Sequence, residues 1–256
     1  MKRLHEAVVL ITGASSGIGQ ACADAFAAEG ARLLLVARRV ERLEAMAPRL
    51  LEAGATAVHS IGLDVRDTRA VNAAIAALPE PWSRVEVLVN NAGLSRGLEK
   101  LYEGSLEDWD EMIDTNLKGV LHLNRAIVPG MVERNRGHVI HLGSTAGELT
   151  YPNGAVYCAT KAGLKAINDG LRMDLLGTAV RVTSVDPGMV ETEFSEVRFH
   201  GDQQRARKVY AGLTPLTAAD VADAILWAAT RPAHVNVAHV LLTSIDQANS
   251  LLFHRE

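Results

Sequence analysis

The stretch Thr12-Gly-Ala-Ser-Ser-Gly-Ile-Gly19 places three glycines between a short apolar run and a segment with helical spacing. A strand, a glycine turn and a helix in this order predict a dinucleotide site. Gly13 permits the tight turn, Gly17 lets the backbone approach a pyrophosphate, and Gly19 lets the helix pack on the strand. The spacing is G-x-x-x-G-x-G, so the general G-x-G-x-x-G fingerprint is not strictly matched, and the motif depends on its context.

On both sides of this turn, strand and helix signals alternate along the chain. Apolar runs predict strands at residues 7–12, 32–37, 57–63, 85–89, 139–142, 180–185 and 237–243. Helical spacing predicts helices at residues 20–29, 40–53, 68–78, 105–135, 153–176 and 217–230. Capping boxes are predicted at Ser105-Leu-Glu-Asp108 and Thr217-Ala-Ala-Asp220. The alternation predicts one α/β domain over residues 1–256, a Rossmann-type doubly wound parallel sheet of about seven strands with helices on both faces.

One long segment, residues 187–215, has no regular pattern. A loop of this length inside a compact domain is usually functional, and we expect residues 188–214 to form a lid over a substrate.

The composition excludes several classes of protein. The chain has 256 residues, 26 Lys plus Arg against 30 Asp plus Glu, 48% hydrophobic residues and only 4% aromatic ones. A weakly acidic chain without a basic face argues against nucleic acid or a membrane as its partner. No apolar run reaches the roughly 18 residues of a membrane span. Cys22 and Cys158 cannot form a disulfide framework, so we expect a cytoplasmic protein.

Arg38 and Arg39 follow the second predicted strand, where an acidic residue would bind the ribose 2′-hydroxyl of NAD. Guanidinium groups at this position can pair with the 2′-phosphate of NADP. The alternative is a solvated pair of arginines at a helix start. The position favours NADP(H) as the cofactor.

Three side chains predict alcohol and carbonyl chemistry. Tyr157 and Lys161 lie one helical turn apart, and an ammonium beside a phenol lowers the phenol pKa towards the range useful for acid–base catalysis. Ser144 follows the fifth predicted strand, at the sheet edge where α/β proteins bind ligands. Asn116 is a poor helix former inside a predicted helix, and it is either a satisfied core amide or part of a proton relay.

With these motifs in order, the chain resembles the classical short-chain dehydrogenase/reductase family over nearly its whole length. The resemblance implies catalytic roles for Tyr157 as acid and base, Ser144 on the reacting oxygen, Lys161 on the nicotinamide ribose and Asn116 in the relay. It implies cofactor binding by Gly13, Ser15, Ser16, Gly17, Ile18, Gly19, Arg38, Arg39, Asp64, Val65, Asn90, Ala92, Gly93, Tyr157, Lys161, Pro187, Gly188, Val190 and Thr192. A helix-capping Asp64 and a turn-forming Asn90 are the plainer alternatives. Family members form homotetramers or homodimers, so the same is expected here.

A finer resemblance is to the NADP-dependent 3-hydroxy acid dehydrogenases. It rests on residues 108–116, 129–135, 193–199 and 231–237. The implied substrates are small hydroxy acids such as serine, allo-threonine or 3-hydroxypropionate. The alternatives are a carbonyl reductase of a sulfonated or bulkier aldehyde or ketone and, less favoured, a non-enzymatic NADP sensor.

A hydroxy acid needs a cation for its carboxylate, and Arg198 in the predicted lid is the first candidate, followed by Arg96. Ser144, Tyr157, Met189, Phe194 and Arg198 form the predicted substrate site. No metal site is expected, because His138 and His141 on one strand point to opposite faces and no zinc-binding histidine motif is present.

Overall fold

Seven parallel strands form one sheet in a computed structural model that describes residues 3–256. The strands are β1 (Val8–Thr12), β2 (Arg32–Ala37), β3 (Ala57–Gly62), β4 (Val85–Asn90), β5 (Gly137–Leu142), β6 (Val180–Pro187) and β7 (His239–Leu242). Their order in the sheet is β3-β2-β1-β4-β5-β6-β7, and every neighbouring pair is parallel. The predicted fold class is confirmed.

Nine α-helices connect and cover these strands in the part of the chain that the structure describes. They are α1 (Gly17–Ala28), α2 (Val40–Glu52), α3 (Thr68–Ala76), α4 (Leu106–Ile113), α5 (Gly119–Glu133), α6 (Ala155–Asp174), α7 (Phe194–Arg198), α8 (Gln203–Tyr210) and α9 (Ala218–Ala229). The single helix predicted for residues 105–135 is instead α4 and α5 joined by a π-helical turn, Asp114–Lys118.

The core has two halves, one on each face of the sheet. Val9 and Ile11 of β1 pack with α1, α2 and α9, whereas Val8 and Leu10 pack with α3 and α5. Successive residues of a strand point to opposite faces, so a strand that is apolar throughout is buried on both sides. This is why the strand sequences are continuous apolar runs.

The segment predicted to be irregular contains two short helices, α7 and α8. The prediction missed them because α7 has only five residues, too few for a helical period to show. Between residues 3 and 256, no helix is long and apolar enough to cross a membrane.

Candidate active site

A cleft lies at the carboxyl edge of the sheet, where the strand order reverses between β1 and β4. Ligands of open α/β sheets bind at such switch points. Most of the predicted cofactor residues line it: Gly13, Ser15, Ser16, Gly17, Ile18, Arg38, Arg39, Asp64, Val65, Ala92, Gly93, Tyr157, Lys161, Pro187, Gly188, Val190 and Thr192. Ser144 and Phe194 line it as well.

The glycine turn has the backbone geometry that a pyrophosphate site requires. Gly13 and Gly17 have φ angles of +64° and +54°, in the left-handed region that favours glycine. Ser16 is the N-cap of α1, but its side chain caps no backbone N–H of the first turn. The first-turn N–H groups therefore remain available to an anion. A Cβ at Gly19 would clash with the Gly13 carbonyl oxygen, so α1 needs glycine there to approach the turn.

Asn91, which the sequence analysis did not single out, holds the glycine turn against β4. Its side-chain amide donates to the carbonyl oxygens of Thr12 at 2.8 Å and Gly13 at 3.2 Å. The side chain of Asn90 points away from the cleft into the core and donates to Asn124 Oδ1 at 2.9 Å. Of these two asparagines, Asn91 lines the cleft and Asn90 does not, and the cofactor contact of Asn90 stays a prediction.

Arg38 and Arg39 both lie at the cleft, but their surroundings differ. Arg38 is largely exposed and lies 3.8 Å from Glu111. Arg39 donates from Nη2 to Ser16 Oγ at 2.9 Å and to Glu193 Oε2 at 3.0 Å, which ties the end of β2 to the glycine turn and to the lid. Nothing in the sequence predicted the pairing of Glu193 with Arg39, because the two residues lie 154 positions apart in the chain.

Asp64 lines the cleft and forms a two-pronged ion pair with Arg66 at distances of 2.6–3.0 Å. The hydrogen bonds from Arg66 hold the pKa of Asp64 below its ordinary value. The helix-cap alternative for Asp64 is wrong, because Asp67 is the N-cap of α3 and accepts from the N–H groups of Arg69 and Ala70. Asp64 lies at the cleft, but both of its carboxylate oxygens already accept from Arg66.

Ser144, Tyr157 and Lys161 come together at the deep end of the cleft. Ser144 caps a short 3₁₀ turn, Thr145–Gly147, and its Oγ accepts from the N–H of Ala146 at 3.1 Å. Tyr157 and Lys161 both lie on α6, with the Lys161 ammonium 5.9 Å from the centre of the phenol ring. Lys161 donates to the Leu142 carbonyl oxygen at 2.7 Å, so β5 holds the lysine beneath the tyrosine.

The pKa of the Tyr157 phenol differs from the prediction. Burial raises it well above its ordinary value, the neighbouring Tyr151 adds to this, and Arg198 and Ser144 act in the opposite direction. The expected lowering by Lys161 is not found, since burial outweighs the nearby charges and the ammonium is directed at Leu142. Burial also lowers the pKa of Lys161 to about 8, although Asp186 opposes the change.

Asn116 lies in the π-helical turn between α4 and α5, a distortion that frequently marks functional sites. Its amide donates to the Leu94 carbonyl oxygen at 2.8 Å and to Thr160 Oγ1 at 3.0 Å, and it accepts from the Leu94 N–H at 2.9 Å. Asn116 is therefore a satisfied core amide that joins the loop after β4 to α6. Its role in a proton relay stays a prediction.

Arg198 packs against the predicted catalytic tyrosine. The centre of its guanidinium lies 5.4 Å from the Tyr157 ring and 5.2 Å from the Phe194 ring, and Nη2 donates to the Tyr151 hydroxyl at 3.0 Å. Its Nε is buried and has no hydrogen-bond partner among residues 3–256. Neither Arg198 nor Met189 is among the residues that line the cleft: Arg198 lies behind the rings of Tyr157 and Phe194, and the N–H of Met189 donates to Gln247 Oε1 at 2.8 Å.

Arg96, the second candidate for a substrate carboxylate, is already occupied. Its Nε donates to Glu111 Oε2 at 2.7 Å, and its Nη1 donates to the carbonyl oxygen of Val197 in α7. Arg96 thus holds the lid helix, and its charge is balanced by a carboxylate.

The two histidines of β5 are core residues. His138 is bonded to Thr183 Oγ1 at 2.7 Å, and His141 lies between Asn124 and Asn168. Burial lowers the pKa of both, to about 4 for His141, so both are neutral at pH 7. Elsewhere, Glu148, Asp186 and His239 bring three potential metal ligands within 4.8 Å of one another. Lys165 donates to both oxygens of Glu148, and His239 pairs with Asp186.

Comparison with known proteins places this geometry among redox enzymes. The sequence model described as short chain dehydrogenase matches residues 7–203. The NADP-dependent 3-hydroxy acid dehydrogenase YdfG of Salmonella typhi is 49% identical over 94% of this chain and 96% of that protein. Sulfoacetaldehyde reductase 2 of Chromohalobacter salexigens is 47% identical over 94% and 95%. The closed form of a serine dehydrogenase complexed with NADP+ superimposes with a TM-score of 0.91, at 44% identity over 97% of this chain and 100% of that one.

Proposed function

The chain belongs to the short-chain dehydrogenase family, and we propose that it is an NADP-dependent oxidoreductase acting on a small 3-hydroxy acid such as serine, allo-threonine or 3-hydroxypropionate. The similar proteins named above support the cofactor and the substrate class. The observation that carries the proposal is the half-buried Arg198 guanidinium packed against the Tyr157 ring, with its buried Nε free of any partner among residues 3–256.

The cofactor end of the cleft fits a phosphorylated dinucleotide. The positive φ angles of Gly13 and Gly17 and the uncapped first turn of α1 suit a pyrophosphate. Arg38 and Arg39 suit a 2′-phosphate, because a planar guanidinium can donate two parallel hydrogen bonds to a phosphate. Asp64 borders the same part of the cleft.

At the reacting end, the cleft residues Ser144, Tyr157 and Lys161 would border a nicotinamide, whose chemistry when bound would be hydride exchange with the substrate carbon. Tyr157 exchanges the hydroxyl proton of the substrate, and its buried phenol is protonated at neutral pH, as reduction of a carbonyl requires. In the oxidation direction the Arg198 guanidinium and the Ser144 hydroxyl are the neighbours that favour the phenolate, although burial outweighs them. Ser144 holds the reacting oxygen by a hydrogen bond, which fixes the carbon for hydride transfer.

The substrate end explains a preference for acids. A half-buried cation without a carboxylate partner is partly desolvated, and a substrate carboxylate would balance its charge. Arg198 lies 5.4 Å from the centre of the Tyr157 ring, so an anion bound to it would lie beside the tyrosine. A sulfonate would bind the same guanidinium, and the 47% identical sulfoacetaldehyde reductase makes a small sulfonated aldehyde the second candidate substrate.

The enzyme is proposed to be a cytoplasmic homotetramer or homodimer with a lid over residues 188–214. Two buried free cysteines suit a reducing compartment. Burial raises the pKa of Cys22 to about 12, so its thiol is unreactive. The lid proposal is supported by Thr192, Phe194 and Val197, which extend from this segment over the cleft.

The test measures reduced-nicotinamide absorbance with NADP or NAD and with serine isomers, allo-threonine, 3-hydroxypropionate, isethionate and one bulky neutral alcohol. We expect turnover of the small acids with NADP. Y157F should lower kcat by roughly 100- to 10,000-fold, the usual contribution of a general acid. Y102F, which alters a tyrosine with 79% exposure, is the control and should retain full activity.

The substrate end is tested by R198Q. We expect the KM for acids to rise about 10- to 100-fold, as for loss of a hydrogen bond to a charged group. R207Q, which removes an exposed arginine of the same segment, should leave KM unchanged. Turnover of the bulky neutral alcohol alone would contradict the acid proposal, and turnover of isethionate alone would favour the sulfonate. A preference for NAD would contradict the cofactor proposal.

A further inference from the structure

Glu193 is held by two arginines at the start of the lid. Arg39 Nη2 lies 3.0 Å from its Oε2, and Arg42 Nη1 lies 2.8 Å from its Oε1. Burial alone would raise the pKa of this carboxyl, but the two guanidinium groups outweigh burial and hold the pKa below its ordinary value. Glu193 is therefore ionised at neutral pH, and each of its oxygens faces a different arginine.

Arg39 also contacts the glycine turn. Arg39 donates to Ser15 Oγ at 3.3 Å and to Ser16 Oγ at 2.9 Å. The residue before Glu193 lies against this turn as well, because a Cβ at Gly17 would be 3.3 Å from the Thr192 side chain. The lid thus touches the turn through Thr192 and the end of β2 through Glu193.

A 2′-phosphate and the Glu193 carboxylate need the same guanidinium. Arg39 donates from Nε to Ser15 and from Nη2 to Ser16 and Glu193, so the Nη2 edge of its guanidinium is already used and a further anion has to share or replace these contacts. A phosphate beside an ionised carboxylate is repelled, whereas a phosphate in its place gains the charge-assisted hydrogen bonds. The two anions therefore compete for the Nη2 edge of Arg39.

We propose that Glu193 sets the strength of 2′-phosphate binding by occupying Arg39 and Arg42 in the free enzyme and being displaced when NADP(H) binds. This inference rests on the proposed function, which brings a 2′-phosphate to Arg39. NAD carries no such phosphate and leaves the Glu193 contacts in place. Because Glu193 belongs to the lid, occupation of the phosphate site also frees the lid from the end of β2.

The test compares binding of 2′,5′-ADP and 5′-AMP by isothermal titration calorimetry, so that it does not depend on turnover. E193Q removes the charge and keeps the shape of the side chain. A partly exposed ion pair contributes up to about 1 kcal/mol, and tenfold in affinity corresponds to about 1.4 kcal/mol. We therefore expect E193Q to bind 2′,5′-ADP about fivefold more tightly, with 5′-AMP affinity unchanged.

The matched control is E196Q, which makes the same change at an exposed lid residue whose carboxylate forms no ion pair within residues 3–256. It should bind both nucleotides as the native protein does. E193A and thermal unfolding midpoints check that any change reflects the lost charge and not a damaged fold.

An E193Q protein that binds 2′,5′-ADP no more tightly than E196Q would overturn the inference, as would equal tightening of both nucleotides. If the native protein still prefers 2′,5′-ADP over 5′-AMP in that case, the proposed function stands and only the role of Glu193 fails. A native protein without that preference overturns both.

Discussion

At the scale of one residue, Lys161 lowers the stability of the fold at the proposed catalytic site. Its side chain is 6% exposed, its ammonium has one hydrogen bond, to the Leu142 carbonyl oxygen, and burial lowers its pKa to about 8. A lysine whose folded pKa is below its unfolded value destabilises the folded state while it is charged. Tyr157, by contrast, is kept neutral by burial and carries no such cost.

This destabilisation predicts that K161M has a higher free energy of unfolding than the native chain, by an amount that depends on pH. Below pH 8 Lys161 is protonated in both the folded and the unfolded state, so the folded native chain is destabilised by the full free energy of burying the charged ammonium. Between pH 8 and about 10.5 the unfolded state binds more protons, and the stability of the native chain rises with pH. We expect K161M to be inactive yet more stable at pH 7 by about 1–3 kcal/mol. This figure is the free energy that corresponds to the pKa shift of Lys161, reduced by the free energy of the lost hydrogen bond to Leu142. The difference should shrink from pH 8 towards pH 10.

Urea unfolding at several pH values and one protein concentration measures this difference. K165M is the matched control, because Lys165 lies one turn further along α6 on the surface and pairs with Glu148. Its pKa is raised by that carboxylate, so its removal should not stabilise the protein. A K161M protein less stable than the native one at pH 7 would contradict the argument.

At the scale of the element, the two predicted capping boxes form different hydrogen bonds in the structure. The box predicted at Thr217 is confirmed, since the Thr217 hydroxyl accepts from the Asp220 N–H and the Asp220 carboxylate accepts from the Thr217 N–H. At Ser105 only half of the box forms. Ser105 accepts from the Asp108 N–H, but the Asp108 carboxylate pairs with His200 of the lid segment at 3.1 Å. A long-range partner has replaced the local one.

The Thr217 cap predicts that T217A has a measurably lower free energy of unfolding than the native protein. The change leaves an N–H of the first turn of α9 without its partner, which costs about 1 kcal/mol. Because α9 packs on the sheet through Val221 and Ile225, the loss should lower the urea midpoint of the whole domain and speed hydrogen exchange in the first turn of α9. T214A, an exposed threonine just before the cap, should leave both unchanged. Equal effects from the two variants would contradict this assignment.

At the scale of the whole molecule, large apolar side chains are exposed at several places, and two groups of them are candidate subunit interfaces. Leu106, Ile113, Leu121 and Val132 lie on α4 and α5. Ile245, Leu251 and Leu252 lie in the C-terminal segment, and Ile245 is 99% exposed. Leu121 and Val132 are eleven residues apart on α5 and therefore share one face. Exposed apolar surface on this scale is typical of subunit interfaces.

We therefore expect light scattering to give two or four times the chain mass of 27.5 kDa. L121E, which places a charge on the α5 face, should lower the mass. L51E, at a similarly exposed leucine on α2, should not. A native protein with the mass of one chain would contradict the proposed assembly.

The sequence by itself determined the fold class, the glycine turn and the Ser144, Tyr157 and Lys161 set, because these depend on local period and on motifs in chain order. Tertiary structure alone decided which side chains meet across the cleft. These contacts join residues far apart in the chain: Glu193 pairs with Arg39, Asp108 pairs with His200, and Arg198 packs on the Tyr157 ring. The Asn90 side chain turned into the core because Asn124 satisfies it there. Such contacts depend on burial and on competition between partners, which no short stretch of sequence contains.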